Sequence, residues 1–101
     1  MIATALLDRE AIARACERHG VARLRIFGSA LTERFDPAKS DVDFLVDYKP
    51  EAERTFSALF ELRGELEQIV GRPVDLLDVR TVRNPYFASA VFDSARDVYA
   101  A

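Results

Sequence analysis

Cysteine and histidine each occur once in this 101-residue chain, as Cys16 and His19. A single cysteine excludes a disulfide framework and a thiolate metal site. Its place on the apolar stripe of a helix reads as a buried thiol. The single histidine leaves almost nothing for a histidine-based triad. Between Arg18 and Gly20 it reads as a helix-end residue, at the negative end of the dipole. No stretch approaches the ~18 apolar residues of a spanning helix. The first seven residues carry no basic residue ahead of their short apolar run. A secretory signal and a membrane partner are therefore not expected, and the cytoplasm is the expected compartment. Positive charge is not in excess either: 14 Lys and Arg stand against 17 Asp and Glu, for a formal net charge of −3. An extended nucleic-acid or anionic-membrane surface needs the opposite sign. Gly-Lys-Ser/Thr is missing, as is Gly-x-Gly-x-x-Gly, so neither a P-loop nor a dinucleotide fingerprint exists. A calcium loop starting at Asp41 fails because Leu45 falls on the third ligand position.

What remains is a chain with 50% hydrophobic and 31% charged residues, an ordinary globular composition for one domain over residues 1–101. Asp8 can cap a first helix whose apolar stripe is Ala11, Ile12, Ala15 and Cys16, closed by Arg18, His19 and Gly20. Val21 to Phe27 alternates as a strand, Leu24 and Ile26 on one face, Arg23 and Arg25 on the other. Gly28-Ser29 ends it. Ala30 to Phe35 can begin as a short helix, and residues 36–40 are turn-like. Residues 41–47 form a second strand. Pro50 or Glu51 opens the longest helix, which runs to Val70 and ends at Gly71. Its broad buried face holds Phe56, Leu59, Phe60, Leu62, Leu66, Ile69 and Val70. Val74 to Asp78 is a third strand. Asn84-Pro85 reads as a cap with proline at the first helical position. From Ser94 to Tyr99 the pattern fits a strand or more helix equally. Helices alternating with short apolar strands predict an α/β domain, a sheet packed against helices.

The chemistry concentrates in Gly28-Ser29 and, after eleven residues, Asp41-Val42-Asp43. Strand alternation places Asp41 and Asp43 on one face and Val42 in the packing. Two such carboxylates repel unless a cation lies between them. Asp75 interrupts a third apolar strand in the same way, and a carboxylate there needs a partner. If the third strand pairs beside the second, three carboxylates can hold two Mg²⁺ ions, which favour oxygen ligands. Such a pair can clamp the attacking and leaving oxygens of a nucleotidyl transfer, with Asp75 accepting the proton of the attacking hydroxyl. Gly28 lets the backbone approach a phosphate chain, and Ser29 offers an N–H and a hydroxyl. Taken alone, Gly28-Ser29 fits any strand-ending turn and Asp41 fits a strand-entry cap. Asp36 and Asp78 read as turn or cap residues, and Asp47 as solvated.

Together, Phe27-Gly28-Ser29, Ser40-Asp41-Val42-Asp43-Phe44-Leu45-Val46, Val74-Asp75-Leu76 and the ending from Asn84-Pro85-Tyr86 to Val98-Tyr99 resemble the minimal nucleotidyltransferases. These belong to the DNA polymerase β-like superfamily and include MntA-type antitoxins. The resemblance implies a small mixed β-sheet flanked by helices, ATP as donor and Mg²⁺. By position it assigns Gly28, Ser29 and Ser40 to the nucleotide, and Asp41, Asp43 and Asp75 to catalysis and metal. Many relatives follow the Gly-Ser with arginine and glycine. Here Ala30-Leu31-Thr32-Glu33 stands in that place, with Arg34 and Lys39 as the nearest cations. The resemblance further implies a HEPN-type RNase toxin as partner, adenylylated on a tyrosine. Two other readings follow from it. One is an antitoxin that masks its toxin by stoichiometric binding; the other is an adenylyltransferase of small molecules of the aminoglycoside kind.

Overall fold

The computed structural model describes residues 7–28, 41–52, 55–82 and 85–101. The first helix, α1 (Arg9–Arg18), starts where the Asp8 carboxylate accepts the Ala11 N–H at 3.1 Å. That satisfies one of the donors a helix start leaves open. Ile12, Ala15 and Cys16 form its buried stripe. The helix ends as the sequence suggests, with His19 at the C-cap and Gly20 left-handed at φ 69°.

β1 (Val21–Phe27) follows directly, and its alternation is the expected one: Leu24 and Ile26 are buried while Arg23, Arg25 and Phe27 lie on the other face. β2 (Val42–Tyr48) runs antiparallel to β1, and β3 (Val74–Asp78) runs parallel to β2. A parallel pair needs a crossover, which α2 (Phe56–Val70) supplies. The last element is a strand, β4 (Arg96–Ala100), antiparallel to β1. The sequence pattern left that choice open. Pairing with β1 settles it, because Val98 then joins the core, with Tyr99 partly buried against it and Arg96, Asp97 and Ala100 exposed. The sheet order is β3-β2-β1-β4, which makes β3 an edge strand. The sheet is thus mixed and carries helices, as expected.

Leu24, Ile26, Val42, Phe44, Val46, Tyr48 and Val74 line one face of the sheet, packed with α1 and with Leu62 and Leu66 of α2. The two helices are also joined by polar side-chain contacts. Arg18 Nη2 lies 3.1 Å and His19 Nε2 3.2 Å from one oxygen of Glu65. His19 is therefore a structural helix-end residue. On the second face, α3 (Pro85–Ser94) brings the Phe92 ring against the Arg25 guanidinium at 5.3 Å. Proline at the first position of α3 is as expected, whereas Asn84 lies outside the described residues, as do residues 30–40 with the predicted short helix and turn.

Two expectations about α2 need correction. It opens at Phe56 rather than at Pro50 or Glu51. Ala52 N–H bonds back to Lys49 C=O at 3.0 Å in a turn, and Thr55 has extended backbone (φ −75°, ψ 162°). The Thr55 hydroxyl then accepts the Ala58 N–H at 3.1 Å, which fixes the start. The buried face is also narrower than predicted. Leu62 and Leu66 are fully buried, yet Phe56 is 82% and Phe60 62% exposed. They sit on the flank of the stripe, lining a cleft shared with Leu76 and Leu77 of β3. The C-terminus of α2 is as expected, with Gly71 left-handed at φ 73°. Among the described residues no helix is long and apolar enough to cross a membrane.

Candidate active site

The register of the sheet builds the site. Asp43 faces Asp75 across the parallel β2–β3 pair, and Phe27 faces Asp43 across the antiparallel β1–β2 pair. Val42 and Phe44, its neighbours in sequence, point into the core at 1% and 0% exposure. Asp43 therefore projects from the second face, half-buried, beside Asp75 on the edge strand. Pleating carries both carboxylates to one side because each is an odd step from a core residue. Asp41 lies just before β2 and is exposed. Asp78 caps the turn Val79–Thr81, accepting the Arg80 N–H at 2.9 Å, as its sequence position suggested. Asp36, Ser29 and Ser40 lie outside the described residues.

Gly28 closes the site from the β1 side. Its φ of 75° is left-handed, and a Cβ there would come 2.6 Å from Asp43 Oδ2. The absence of a side chain is thus what allows the turn to press against the carboxylate. Electrostatics mark the same residue. Burial pushes the Asp43 carboxyl up to about 6; the Asp75 charge, a hydrogen bond with Asp75, and the Asp41 charge add to the effect. A carboxylate held up in this way, with a second one facing it, is suited to a hard divalent cation, which would relieve the repulsion. The donor chemistry therefore fits Mg²⁺. Among the described residues, however, no group of three or more Asp, Glu, His or Cys side chains converges as a ready-made metal cage. The pair Asp43–Asp75 is assembled, and Asp41 stands near it as a charge.

A cleft of about 420 Å³ opens from this pair, lined by Phe27, Asp43, Phe56, Leu59, Phe60, Arg63, Asp75, Leu76 and Leu77. Leu76 belongs to the core face and Leu77 to the other, so the cleft wraps the free edge of β3. Cavities of this size accept small ligands or a few side chains.

A family model described as a nucleotidyltransferase domain matches residues 8–98. This chain belongs to that family. The transferase is 34% identical over 82 residues to a protein of Methanocaldococcus jannaschii named "Putative protein adenylyltransferase", covering 80% of this chain and 83% of the relative. It is similar to the solved structure of a "putative minimal nucleotidyltransferase" with a TM-score of 0.68 and 34% identity, over 87% of this chain and 86% of that one. At 19% identity it shares the fold, with a TM-score of 0.64, of a structure of a tri-AMPylated Shewanella oneidensis HEPN toxin in complex with an MNT antitoxin. That match covers 92% of this chain and 70% of the other.

Four residues that line the cleft of the transferase, Phe27, Phe56, Phe60 and Arg63, are not among the site residues its motifs mark. Phe27 could have been found as the residue before the Gly28 turn on the carboxylate face. The α2 residues carried a fainter signal: 56, 60 and 63 recur at helical spacing beside, rather than on, the Leu59-Leu62-Leu66 stripe.

Proposed function

We propose that this nucleotidyltransferase moves AMP from ATP onto a hydroxyl of a partner protein, and that the partner is a HEPN-type toxin which the modification neutralises. The observation that carries the reading is the facing Asp43–Asp75 pair with Gly28 pressed against Asp43. The adenylyltransferase name of the Methanocaldococcus relative and the AMPylated toxin bound to the MNT antitoxin of like fold support the choice of group and partner.

In this reading Gly28 keeps the turn low enough for the triphosphate to lie beside Asp43. Asp43 and Asp75, with Asp41 adding negative charge, are the residues that would hold Mg²⁺. When bound, the ion neutralises charge on the phosphates and polarises the α-phosphoryl group. The acceptor oxygen forms a bond to the α-phosphorus while the bond from that phosphorus to the bridging oxygen of pyrophosphate breaks. The hydroxyl proton passes to the exposed carboxylate of Asp75. A solvent-facing position on the edge strand suits Asp75 to receive it and release it to water.

Incubation with α-labelled ATP, Mg²⁺ and the protein encoded beside this chain should label that protein, and Asp43→Asn should abolish the labelling. The substitution keeps the shape and removes the charge, so the variant should melt no lower than the parent. Undiminished labelling by Asp43→Asn would refute the catalytic role. An Asp43→Asn chain that still neutralises the toxin in cells would replace transfer with stoichiometric masking.

A further inference from the structure

Phe56, Phe60 and Arg63 have no part in the core or in the carboxylate pair, yet they form one wall of the cleft that contains that pair. They recur at i, i+4 and i+7, so they share one face of α2. Two large aromatic side chains left 82% and 62% in water on a small domain form a surface that something else covers. Arg63 adds a cation: its guanidinium stands 5.7 Å from the Phe60 ring centroid and only 3.9 Å, a loose contact, from Glu67. The wall is therefore apolar with one positive charge, whereas the other end of the cleft is two carboxylates.

The order of the strands decides what belongs on this side. Gly28 ends β1, Asp75 lies on the free edge strand β3, and Asp43 on β2 stands between them, so Gly28 and Asp75 flank Asp43 from opposite sides while the cleft runs from Phe27 past Asp43 to the α2 wall beside β3. In phosphoryl and nucleotidyl transfer the attacking and leaving oxygens lie roughly in line through phosphorus. If pyrophosphate departs on the Gly28 side, the attacking hydroxyl arrives from the Asp75 side. We propose that the α2 wall of Phe56, Phe60 and Arg63 recognises the acceptor: it seats a protein segment whose hydroxyl is flanked by apolar side chains and a carboxylate. The inference rests on the transfer reading above and adds to it the surface that chooses the acceptor. The apolar flank covers the phenylalanine rings, and the acceptor carboxylate pairs with Arg63. The hydroxyl is thereby carried to Asp75, to which it gives its proton as its oxygen bonds to the α-phosphorus and pyrophosphate leaves.

The test measures AMP transfer to the adjacently encoded protein by the parent chain, Phe60→Ala, Arg63→Glu and Arg63→Lys, with ATP and acceptor titrated separately. Phe60→Ala and Arg63→Glu should raise KM for the acceptor by about tenfold or more, the loss typical of an interface anchor. KM for ATP should stay within about twofold, and Arg63→Lys should recover part of the acceptor affinity. Both side chains are exposed, so unchanged melting temperatures are expected and confirm folding. An unaltered acceptor KM overturns the proposal. A parallel rise in KM for ATP also overturns it, since the wall would then hold the nucleobase. Should the parent transfer nothing, the transfer reading fails separately. The Kd of the same variants for the partner protein, measured by titration without ATP, then decides the wall: an unchanged Kd refutes it and a tenfold weakening upholds it.

Discussion

Gly28 and Asp43 show how the absence of a single carbon lets a turn press against a carboxylate. The left-handed φ of Gly28 costs an L-residue about 1–2 kcal/mol, and an added Cβ would fall 2.6 Å from Asp43 Oδ2. The colliding atom is the free end of a side chain, which can swing away at little expense. Gly28→Ala should therefore destabilise by only about 1–2 kcal/mol, the backbone term, but displace the carboxylate that faces Asp75. Misplacing a reacting group by about 1 Å can cost 10²-fold in rate. Parallel measurement of thermal melting and AMP transfer should thus show a small loss of stability and a large loss of rate. Equal retention of both would mean that Asp43 does not need its present position. Cys16 makes a contrast. It is fully buried, with burial pushing its thiol up to about 12, and its part is to fill space between α1 and the sheet.

At the scale of elements, α2 carries two functions on two faces. Its Leu62–Leu66 stripe seals the core, and its Phe56–Phe60–Arg63 face lines the cleft. The helix start controls the position of both, because Phe56 is its first residue and Thr55 its cap. Thr55→Ala removes the hydroxyl that accepts the Ala58 N–H and should cost about 1 kcal/mol, within a range of roughly 0.5–2. On a domain of this size that lowers the melting temperature by about 4–8 °C. Thr55→Ser should be nearly neutral, since it keeps the acceptor oxygen. A Thr55→Ala protein that melts with the parent would show that packing of Leu59 and Leu62, not the cap, sets the first turn. The cap was readable in principle from Thr55 alone. Pro50 and Glu51, however, form an equally good local start signal, and only the turn at Lys49–Ala52 excludes that start.

For the whole molecule, the site is a source of instability that a ligand can remove. Asp43 ordinarily titrates near 3.8 and is held up to about 6 in the folded state. Between those values the native state binds more protons than the unfolded one. The contribution of Asp43 is thus fully present below pH 3.8 and is lost as pH rises through 6. The parent should lose melting temperature relative to Asp43→Asn over that window in metal-free buffer. Above it, millimolar Mg²⁺ with ATP should restore several degrees by mass action, and should not do so for the variant. A pH-independent difference between the two proteins would show that Asp75 and burial do not strain Asp43.

Much of this architecture is local and was written in the sequence. Period-two alternation placed Val42 and Phe44 inward and Asp43 outward, and Asp8, Gly20 and Gly71 marked helix ends through contacts within four residues. Those features depend on neighbours along the chain, so composition and spacing determine them. The tertiary structure alone decided that Asp75 faces Asp43, that Arg96–Ala100 is a strand, and that Phe56 and Phe60 stay in water. Each of these depends on which distant segment lies alongside. Strand register and the width of a buried helix face are settled only when the sheet closes and the available apolar partners have been used.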